Sequence, residues 1–338
     1  MKKLLIFIFL LICLFNFSCT NPTSSPQTST YKILVSRFES QNNRNLYIRN
    51  LDGSEEICLS SNLKYSFNGK FTPDGTKIFF FSSDSNVISR VKFIIVDQDG
   101  NNRDCLLETS GVHLHNFSLS NTDMVYVKVM DDRAQIYRLD FETKTEINFS
   151  PYPYLDFYPE YSPDRQKIAF VRCYNDTNSI YIMNKEGGEL TRILYYYSEN
   201  SSRMTNVRFT ADGRKIIFYF KGELFRIDID GKNLIQLTES EGPIDGRNLT
   251  VSPIGYEIVY NEWESEEFIA HTYIQNIFFG TRLELFDLSG PSWDYIFTPN
   301  GRNVFFSTND GIFMVDVDGN FVRQISFNEH AFDLYEYK

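Results

Sequence analysis

The decapeptide FTPDGTKIFF at residues 71–80 returns as YSPDRQKIAF at residues 161–170 and as FTADGRKIIF at residues 209–218. Weaker copies start at three further positions, Phe117, Val251 and Phe297. Successive copies therefore start 42 to 48 residues apart along the chain. A near-constant period of this length indicates repeated supersecondary units that bury their apolar surfaces against one another.

Each copy has the residue order of a tight β-hairpin. An aromatic residue ends one strand, Ser or Thr with Pro opens a turn, Asp-Gly closes it, and Lys-Ile enters an apolar run such as residues 78–81. An alternating strand follows, as at residues 224–229, and ends at a second Asp-Gly turn. The second strand is apolar on both faces, which is typical of a strand covered on both sides. The sequence thus predicts four antiparallel strands in every repeat.

The two chain ends complete one further repeat. Residues 31–38 and 45–53 have the pattern of a second and a third strand, and residues 330–337 have the pattern of a first strand. Joining them removes open sheet edges. The 308 residues from Tyr31 to Lys338 divide by seven into 44, which is the observed period. We therefore predict an all-β fold, a seven-bladed β-propeller of four-stranded antiparallel blades, with the ring closed by the C-terminal strand joining the N-terminal blade.

The repeated phrase resembles the repeat of the TolB-type, WD-repeat-like β-propeller family. The likeness includes the Asp-Gly that ends each third strand and the segment that follows it, such as LIQLT at residues 234–238. It covers nearly all of residues 31–338 and implies a scaffold or binding module, or occasionally an enzyme. TolB carries an additional α/β domain ahead of its propeller, whereas these repeats follow a short tether, so TolB's own partnership is not expected. The third and sixth repeats lack Pro-Asp-Gly, and we expect altered turns there.

The first residues have the order of a targeting segment. Lys2 and Lys3 precede an apolar run, residues 4–15, that is short for a membrane span, and a small residue then precedes Cys19. This order resembles a bacterial lipoprotein signal, which implies lipidation of Cys19. Ordinary signal cleavage nearby is the alternative.

These features divide the chain into three parts. Residues 1–18 are predicted to be the lipoprotein signal peptide. Residues 19–30 are rich in Ser, Thr and Pro and carry no charge, which predicts a flexible tether. Residues 31–338 are predicted to form the seven-bladed propeller.

Composition restricts the class of ligand. The chain has 33 Lys and Arg against 44 Asp and Glu, a formal net charge of −11 at pH 7, which disfavours nucleic acid as a partner. The sequence contains no nucleophile elbow, zinc-protease helix motif, Walker loop or dinucleotide fingerprint. Cys58, Cys105 and Cys173 are expected to be buried or half-buried free thiols, with a disulfide between Cys58 and Cys105 as the alternative.

Strand order predicts where a ligand binds. In a four-stranded meander the first and third turns lie on one side of the disk, and the second turn and the inter-blade connection lie on the other. The Asp-Gly turns are expected to be too short to form pockets. The opposite side carries long segments rich in aromatic residues, with Tyr158, Tyr195 and Tyr197 among them. We predict that ligand-binding residues on this side are Tyr152, Tyr154, Tyr174, Tyr196 and Trp263. The alternative for each is a structural role at a blade interface.

Histidines are also expected on this side. His113 and His115 alternate along one strand and so point the same way, which is a usable spacing for metal ligands. His330, at the ring closure, is the candidate third ligand. Some pectin-fragment lyases are seven-bladed propellers with a histidine-bound metal, and this chain is similar to them in its His-x-His pair. A hydrogen-bonded structural pair is the alternative.

The sequence therefore predicts a non-catalytic cell-envelope lipoprotein, periplasmic or surface-exposed, that binds a protein, peptide or glycan. It is expected to be a monomer, to contact the membrane only through its lipid anchor, and to need no cofactor. The alternative is a carbohydrate-active lyase of the oligogalacturonate type with a divalent metal at His113, His115 and His330.

Overall fold

The computed structural model describes residues 31–336 with the exception of 41–42, 86–88, 132, 151–152, 198–202, 241–243, 264–269, 287–292, 309, 321 and 327–329. The predicted signal peptide (1–18) and tether (19–30), with Cys19, lie outside the described residues. Strands and turns make up the described part of the chain, which contains no helix. A search of the same residues for a helix that could cross a membrane accordingly found none.

Twenty-eight strands are present in the described residues, and we group them into four-stranded units. Unit 1 begins with β1 (Tyr31–Ser40), β2 (Asn43–Asn50) and β3 (Ile57–Cys58). Unit 2 contains β4 (Tyr65–Phe71), β5 (Lys77–Ser83), β6 (Arg90–Asp97) and β7 (Asp104–Ser110). Unit 3 contains β8 (Val112–Leu119), β9 (Asp123–Met130), β10 (Arg133–Asp140) and β11 (Glu146–Asn148). Unit 4 contains β12 (Leu155–Tyr161), β13 (Lys167–Tyr174), β14 (Thr177–Asn184) and β15 (Thr191–Tyr197).

The remaining units follow the same order. Unit 5 contains β16 (Thr205–Phe209), β17 (Lys215–Phe220), β18 (Glu223–Asp228) and β19 (Ile235–Gln236). Unit 6 contains β20 (Ile244–Val251), β21 (Glu257–Trp263), β22 (Ala270–Asn276) and β23 (Arg282–Phe286). Unit 7 contains β24 (Trp293–Phe297), β25 (Asn303–Thr308), β26 (Gly311–Asp316) and β27 (Val322–Ser326). The last strand, β28 (His330–Glu336), completes unit 1.

Antiparallel pairing holds each unit together. In units 2 to 7 the four strands pair in chain order, and in unit 1 the order is β28-β1-β2-β3. The C-terminal strand β28 thus pairs with β1 over Tyr31 to Ser36, as the split repeat predicts. First strands of successive units touch from β8 through β12, β16, β20 and β24 to β28 and then β4. The Nδ2 atom of Asn68 on β4 donates to the Leu114 carbonyl of β8 at 3.2 Å.

The core consists of apolar side chains between units. Each of seven buried clusters in the described residues spans two units, and the cluster of Ile33, Val35, Phe305 and Ile312 joins unit 7 to unit 1. These contacts favour the closed, seven-bladed ring that the repeat predicts, and the truncation proposed below tests it. Burial of each large apolar side chain contributes about 2 kcal/mol.

Two sides of the disk follow from the turns. The first and third turns of a unit are hydrogen-bonded to each other, as where Ile229 N donates to the Arg214 carbonyl at 3.0 Å. We call this side the turn face. The second turns and the connections between units form the opposite side, the loop face. The sides on which the turns lie are those predicted, but segment length does not separate them: the second turns of units 4 and 5 have two residues (175–176 and 221–222), whereas their third turns have six (185–190 and 229–234).

First strands share a β-bulge that the sequence analysis does not anticipate. Asn68, Tyr158, Asn206 and Asp294 have φ between 50° and 55°, and each lies three residues before the aromatic residue that starts a repeat copy. Pairing with the second strand shifts register at each of these places. Asn and Asp tolerate this left-handed conformation better than most residues, which accounts for three of the four.

The third repeat departs from the common turn, as expected, whereas the sixth keeps the closing hydrogen bond, from Ser252 N to the Glu257 carbonyl at 2.8 Å, and differs at its glycine. In the common turn Thr72 N donates to the Lys77 carbonyl, whereas in the third repeat Ser120 N donates to the Asp123 carbonyl, over three residues in place of five. Gly255 of the sixth repeat is absent from the left-handed glycines of the described residues.

The cysteine prediction is confirmed in part. Cys58, Cys105 and Cys173 are free, and Cys58 is half-buried and Cys173 buried. Cys105 is exposed, so the expectation of burial is wrong for this residue, and the alternative of a Cys58–Cys105 disulfide is also wrong. Position 105 faces solvent because outer strands are covered on one side only.

Candidate binding face

A buried ion pair lies beneath the loop face of unit 4. Asp156 and Arg172 are opposite one another on β12 and β13, and the guanidinium meets the carboxylate at 2.8 Å and 2.7 Å. The Asp156 side chain has no exposed surface. Burial by itself lowers the pKa of Arg172, but the hydrogen bond and charge of Asp156 outweigh burial, so the pKa is raised. The two side chains are therefore held in one geometry by two hydrogen bonds.

One predicted binding residue, Tyr154, contacts this ion pair, and a second, Tyr174, contacts Tyr154. The Arg172 guanidinium lies 4.3 Å from the centroid of the Tyr154 ring, and Tyr154 contacts Tyr174 edge to face at 5.3 Å. Tyr154 is half-buried, and Tyr174 is 44% exposed. The structure thus brings Tyr154 and Tyr174 together as an aromatic pair with one ring presented to solvent.

Tyr196 has a different environment from these two tyrosines. Its ring lies 4.7 Å from Phe220 of the next unit, and the Lys221 ammonium donates to its hydroxyl. This half-buried side chain packs against the core between units 4 and 5. Its neighbours Tyr195 and Tyr197 are 50% and 54% exposed. Because side chains alternate along a strand, Tyr196 turns toward the interface and its neighbours turn outward.

The remaining predicted aromatic residues are farther along the loop face. Trp263 ends β21 and is half-buried. Tyr152 lies outside the described residues. Tyr158 occupies the bulge of β12, packs against the same core as Tyr196, and burial raises the pKa of its hydroxyl.

The three candidate metal ligands lie on first strands near the loop face, as expected. The Nδ1 atom of His113 is 2.5 Å from the side-chain amide nitrogen of Asn116, which is 3% exposed. His115 lies on the same strand, and His330 begins β28. The side chains of His115 and His330 are outside the described part of the structure. Strand β4 of unit 2 lies between β28 and β8, so the backbone places His330 two units away from the pair.

No group of three His, Cys, Asp or Glu side chains among the described residues could hold a metal. Of the three proposed ligands, only His113 has a described side chain. The predicted set of His113, His115 and His330 therefore stays a prediction.

Sequence reasoning missed a polar cluster on the loop face, formed by groups of units 1, 2 and 7. Arg44, at the start of β2, donates to Ser36 Oγ at 2.7 Å. Burial lowers the pKa of Arg44, against the opposing influence of the Tyr65 hydroxyl and the Asp294 carboxylate. Units 1, 2 and 7 thus contribute charged or polar groups to one place. No sequence signal marks the cluster, because the three residues are distant in the chain and only the ring brings them together.

The turn face does not match one expectation. A groove of about 430 Å³ lies there between units 4 and 5, lined by residues that include Gln166, Lys167, Asn184 and Glu189. The prediction that these turns are too short to form pockets is wrong, because the cleft lies between the turns of adjacent units. Neighbouring turns otherwise contact directly, as where Asp74 N donates to Asn121 Oδ1 at 3.0 Å.

Comparison with protein families agrees with this geometry. Residues 82–223 match the family described as the TolB beta propeller domain, PD40. The matched range extends from the second strand of unit 2 to the third strand of unit 5.

Solved structures of similar fold include proteins of different roles. TolB from Acinetobacter baumannii has a TM-score of 0.52 and 17% identity, covering 90% of this chain and 67% of that one. An oligogalacturonate lyase in complex with manganese has a TM-score of 0.66 and 15% identity, covering 84% and 85%. A putative 6-phosphogluconolactonase from Bacteroides fragilis has a TM-score of 0.61 and 12% identity, covering 93% and 99%. Identities this low show a common fold alone. The chain is thus a β-propeller whose residues 82–223 match the TolB beta propeller domain family.

Proposed function

We propose that this protein is a cell-envelope lipoprotein whose propeller binds a protein, peptide or glycan through its loop face, without catalysis. The observation that carries the proposal is the aromatic pair Tyr154 and Tyr174 above the ion pair of Arg172 with Asp156. Exposed aromatic rings on a rigid support are what a binding site for such partners needs.

The support of these rings matters for affinity. Binding immobilises side chains, and each rotamer-rich side chain that must be ordered costs about 0.5 to 1.5 kcal/mol. The Arg172 guanidinium and the Tyr174 ring already restrict Tyr154, so less freedom is lost when a partner arrives. Tyrosines also donate and accept hydrogen bonds at their tips, which suits peptide and sugar surfaces.

Affinity capture tests the proposal. The full-length tagged protein is recovered from detergent-solubilised envelope, and co-purifying proteins and glycans are compared with those of the Tyr174→Ala variant. Leu190→Ala is the matched control, since Leu190 is 47% exposed and follows a third turn on the turn face. We expect a partner that is lost with Tyr174→Ala and kept with Leu190→Ala. Equal recovery with both variants would contradict a role for the loop face.

The alternative is a metal-dependent lyase, and its support is the fold shared with the manganese-bound oligogalacturonate lyase. His113, His115 and His330 are its candidate ligands. Metal analysis of the purified protein, followed by an assay for unsaturated products from oligogalacturonate, separates the two functions. Stoichiometric metal that is lost in the His115→Ala variant, together with product, would replace the binding proposal.

A further inference from the structure

Large apolar side chains are exposed at one place on the turn face. Phe279 is 82% exposed, more than any other large hydrophobic residue in the described part of the chain. Ile254 is 67% exposed, Phe278 44% and Tyr256 37%. Ile254 and Tyr256 belong to the first turn of unit 6, and Phe278 and Phe279 belong to its third turn. We call these four residues the turn-face patch.

The turn-face patch is held firmly by hydrogen bonds and ring contacts. The backbone amides of Phe278 and Phe279 donate to Asn276 Oδ1 at 3.0 Å and 3.2 Å. The Phe278 ring meets Tyr256 edge to face at 4.7 Å, and the Tyr256 hydroxyl donates to Asp212 at 3.2 Å. The turn therefore presents Phe279 outward on a fixed base, with its ring among the solvent-facing groups.

The chain enters the fold on the same face. Tyr31 starts β1 beside the third turn of unit 1, and its hydroxyl accepts a hydrogen bond from Asn300 Nδ2 at 2.7 Å. Asn300 lies in the first turn of unit 7, and the adjoining Gly301 packs on Ile254, since a Cβ there would be 2.6 Å from Ile254 Cγ1. Direct contacts thus lead from the entry of the chain to the turn-face patch.

We propose that the turn-face patch rests in the interface of a phospholipid bilayer and so orients the propeller on the membrane. This inference rests on the proposed lipid attachment at Cys19. Eleven residues separate Cys19 from Tyr31, a segment that reaches about 20 Å on average and about 40 Å at full extension. A tether that short holds the turn face close to the lipid at high effective concentration, and the loop face then points away from the membrane.

The chemistry of the turn-face patch favours lipid over an anionic or cationic protein partner. Phe278, Phe279 and Ile254 carry no polar tip, unlike the tyrosines of the loop face, and apolar side chains of this kind enter the bilayer interface. Two cations contact the Phe278 ring: Lys215, 5.4 Å from its centroid, is paired with Asp228, and the guanidinium of the buried Arg226 lies at 4.9 Å. Contact is therefore expected to depend on apolar burial and only weakly on anionic lipid.

Tryptophan fluorescence tests the contact. Phe279→Trp places an indole in the turn-face patch, and Tyr197→Trp is the matched control, because Tyr197 is 54% exposed at the end of β15 on the loop face. Both full-length proteins, and the parent with its two native tryptophans, are reconstituted into phosphatidylcholine vesicles that contain lipid with brominated acyl chains. Bromine quenches only an indole that reaches the bilayer. We expect Phe279→Trp to lose its added emission to quenching and Tyr197→Trp to keep it.

A second preparation separates the contact from the anchor. Residues 1–19 are replaced by a histidine tag bound to nickel-chelating lipid, which holds the chain at the same point without Cys19. Selective quenching of Phe279→Trp in this form supports the patch even if flotation shows that the natural protein is not lipid-anchored. Equal quenching of both variants in the tagged form overturns the inference. Crosslinking of a photoreactive residue at position 279 to a second copy or to a protein, in place of lipid, also overturns it.

Discussion

Asp156 and Arg172 form a two-point ion pair inside unit 4, with Nε to Oδ1 at 2.8 Å and Nη2 to Oδ2 at 2.7 Å. The pair joins β12 to β13, and its guanidinium also contacts the Tyr154 ring. It therefore connects the packing of unit 4 with the candidate binding site. A change in either residue is therefore expected to act on both stability and binding.

Removing the guanidinium alone leaves a buried carboxylate without its partner. Arg172→Leu should therefore lower the free energy of unfolding by about 3 to 5 kcal/mol, measured by urea denaturation. Arg208→Leu is the control, because its contact with Glu160 is 3.4 Å long and partly exposed, and a loss below about 1 kcal/mol is expected. The double variant Asp156→Leu with Arg172→Leu should recover much of the stability. If Arg172→Leu behaves like the control, the ion pair is not an organising feature.

The loop-face aromatics are expected to act on binding. Tyr154→Ala and Tyr174→Ala should each weaken capture of the partner by more than about 1 kcal/mol, measured by titration once that partner is identified. Tyr196→Ala should act mainly on stability, because Tyr196 packs against Phe220. The same titration with Trp263→Ala measures whether unit 6 of the loop face also contributes to binding. Binding that survives loss of both Tyr154 and Tyr174 would place the site elsewhere.

The aspartates of the first turns make stability depend on pH. A hydrogen bond from Ser162 holds the pKa of Asp164 below its ordinary value, and the pKa of Asp212 is also lowered, because the Thr210 hydroxyl and neighbouring donors outweigh burial. A pKa depressed in the folded state adds stability above the unfolded value, near 4, which is lost as pH falls through the folded pKa. The urea concentration at the midpoint of unfolding should therefore decrease as the pH is lowered below about 4.

Substitution of these aspartates provides the check on that pH dependence. The double variant Asp164→Asn with Asp212→Asn should lose less stability at acid pH than the parent does. Asp74→Ala, Asp164→Ala and Asp212→Ala should each lower the free energy of unfolding by about 1 kcal/mol at neutral pH. Partner capture should be unchanged, because these turns lie opposite the loop face. If the stability of the double variant decreases with falling pH as steeply as that of the parent, other carboxylates cause the loss.

The C-terminal strand is expected to be essential for unit 1. Deletion of residues 330–338 removes the partner of β1 and exposes a strand edge, so the protein should melt at a lower temperature and aggregate. Differential scanning calorimetry and light scattering measure the two effects. A truncated protein that melts like the parent would rule out closure through β28.

The anchor prediction concerns Cys19. Cys19→Ala should move the protein from the membrane fraction to the soluble fraction, or leave an unprocessed precursor, because a lipid attached to that thiol cannot form. Cell fractionation with immunoblotting distinguishes these results, and Cys58→Ala serves as the control. A variant that matures and fractionates as the parent does would exclude Cys19 as the lipid site.

Local patterns of the sequence predicted the strands and turns well. The order of aromatic residue, Thr, Pro and Asp in the first turns is realised, since Thr72 donates to Asp74 at 2.7 Å and Asp74 accepts from Thr76 N at 3.0 Å. These contacts join residues at most a few positions apart, so residue type alone specifies them. The pairing of β28 with β1 was also predictable, because each chain end contains part of one repeat.

Contacts between units were harder to predict. Tyr174 and Tyr196 are both tyrosines near the loop-face ends of their strands. Tyr174 is nevertheless exposed, whereas Tyr196 packs on Phe220 of the next unit. Arg172 could have been found from the sequence, since a charged residue within the apolar strand KIAFVRCY requires a partner across the sheet. The 82% exposure of Phe279 could not have been found, because it depends on how the third turn of unit 6 packs in space.

By itself the sequence determined the repeat, the all-β class and the side of the disk on which each turn lies, because period, alternation and turn chemistry are properties of neighbouring residues. Only the tertiary structure decided which aromatic side chains are presented and which are buried. It also brought Arg44, Tyr65 and Asp294 together from three units. The physical reason is that exposure and charge pairing depend on the neighbouring units in space, and the pairing of β28 with β1 makes residues at opposite ends of the chain neighbours.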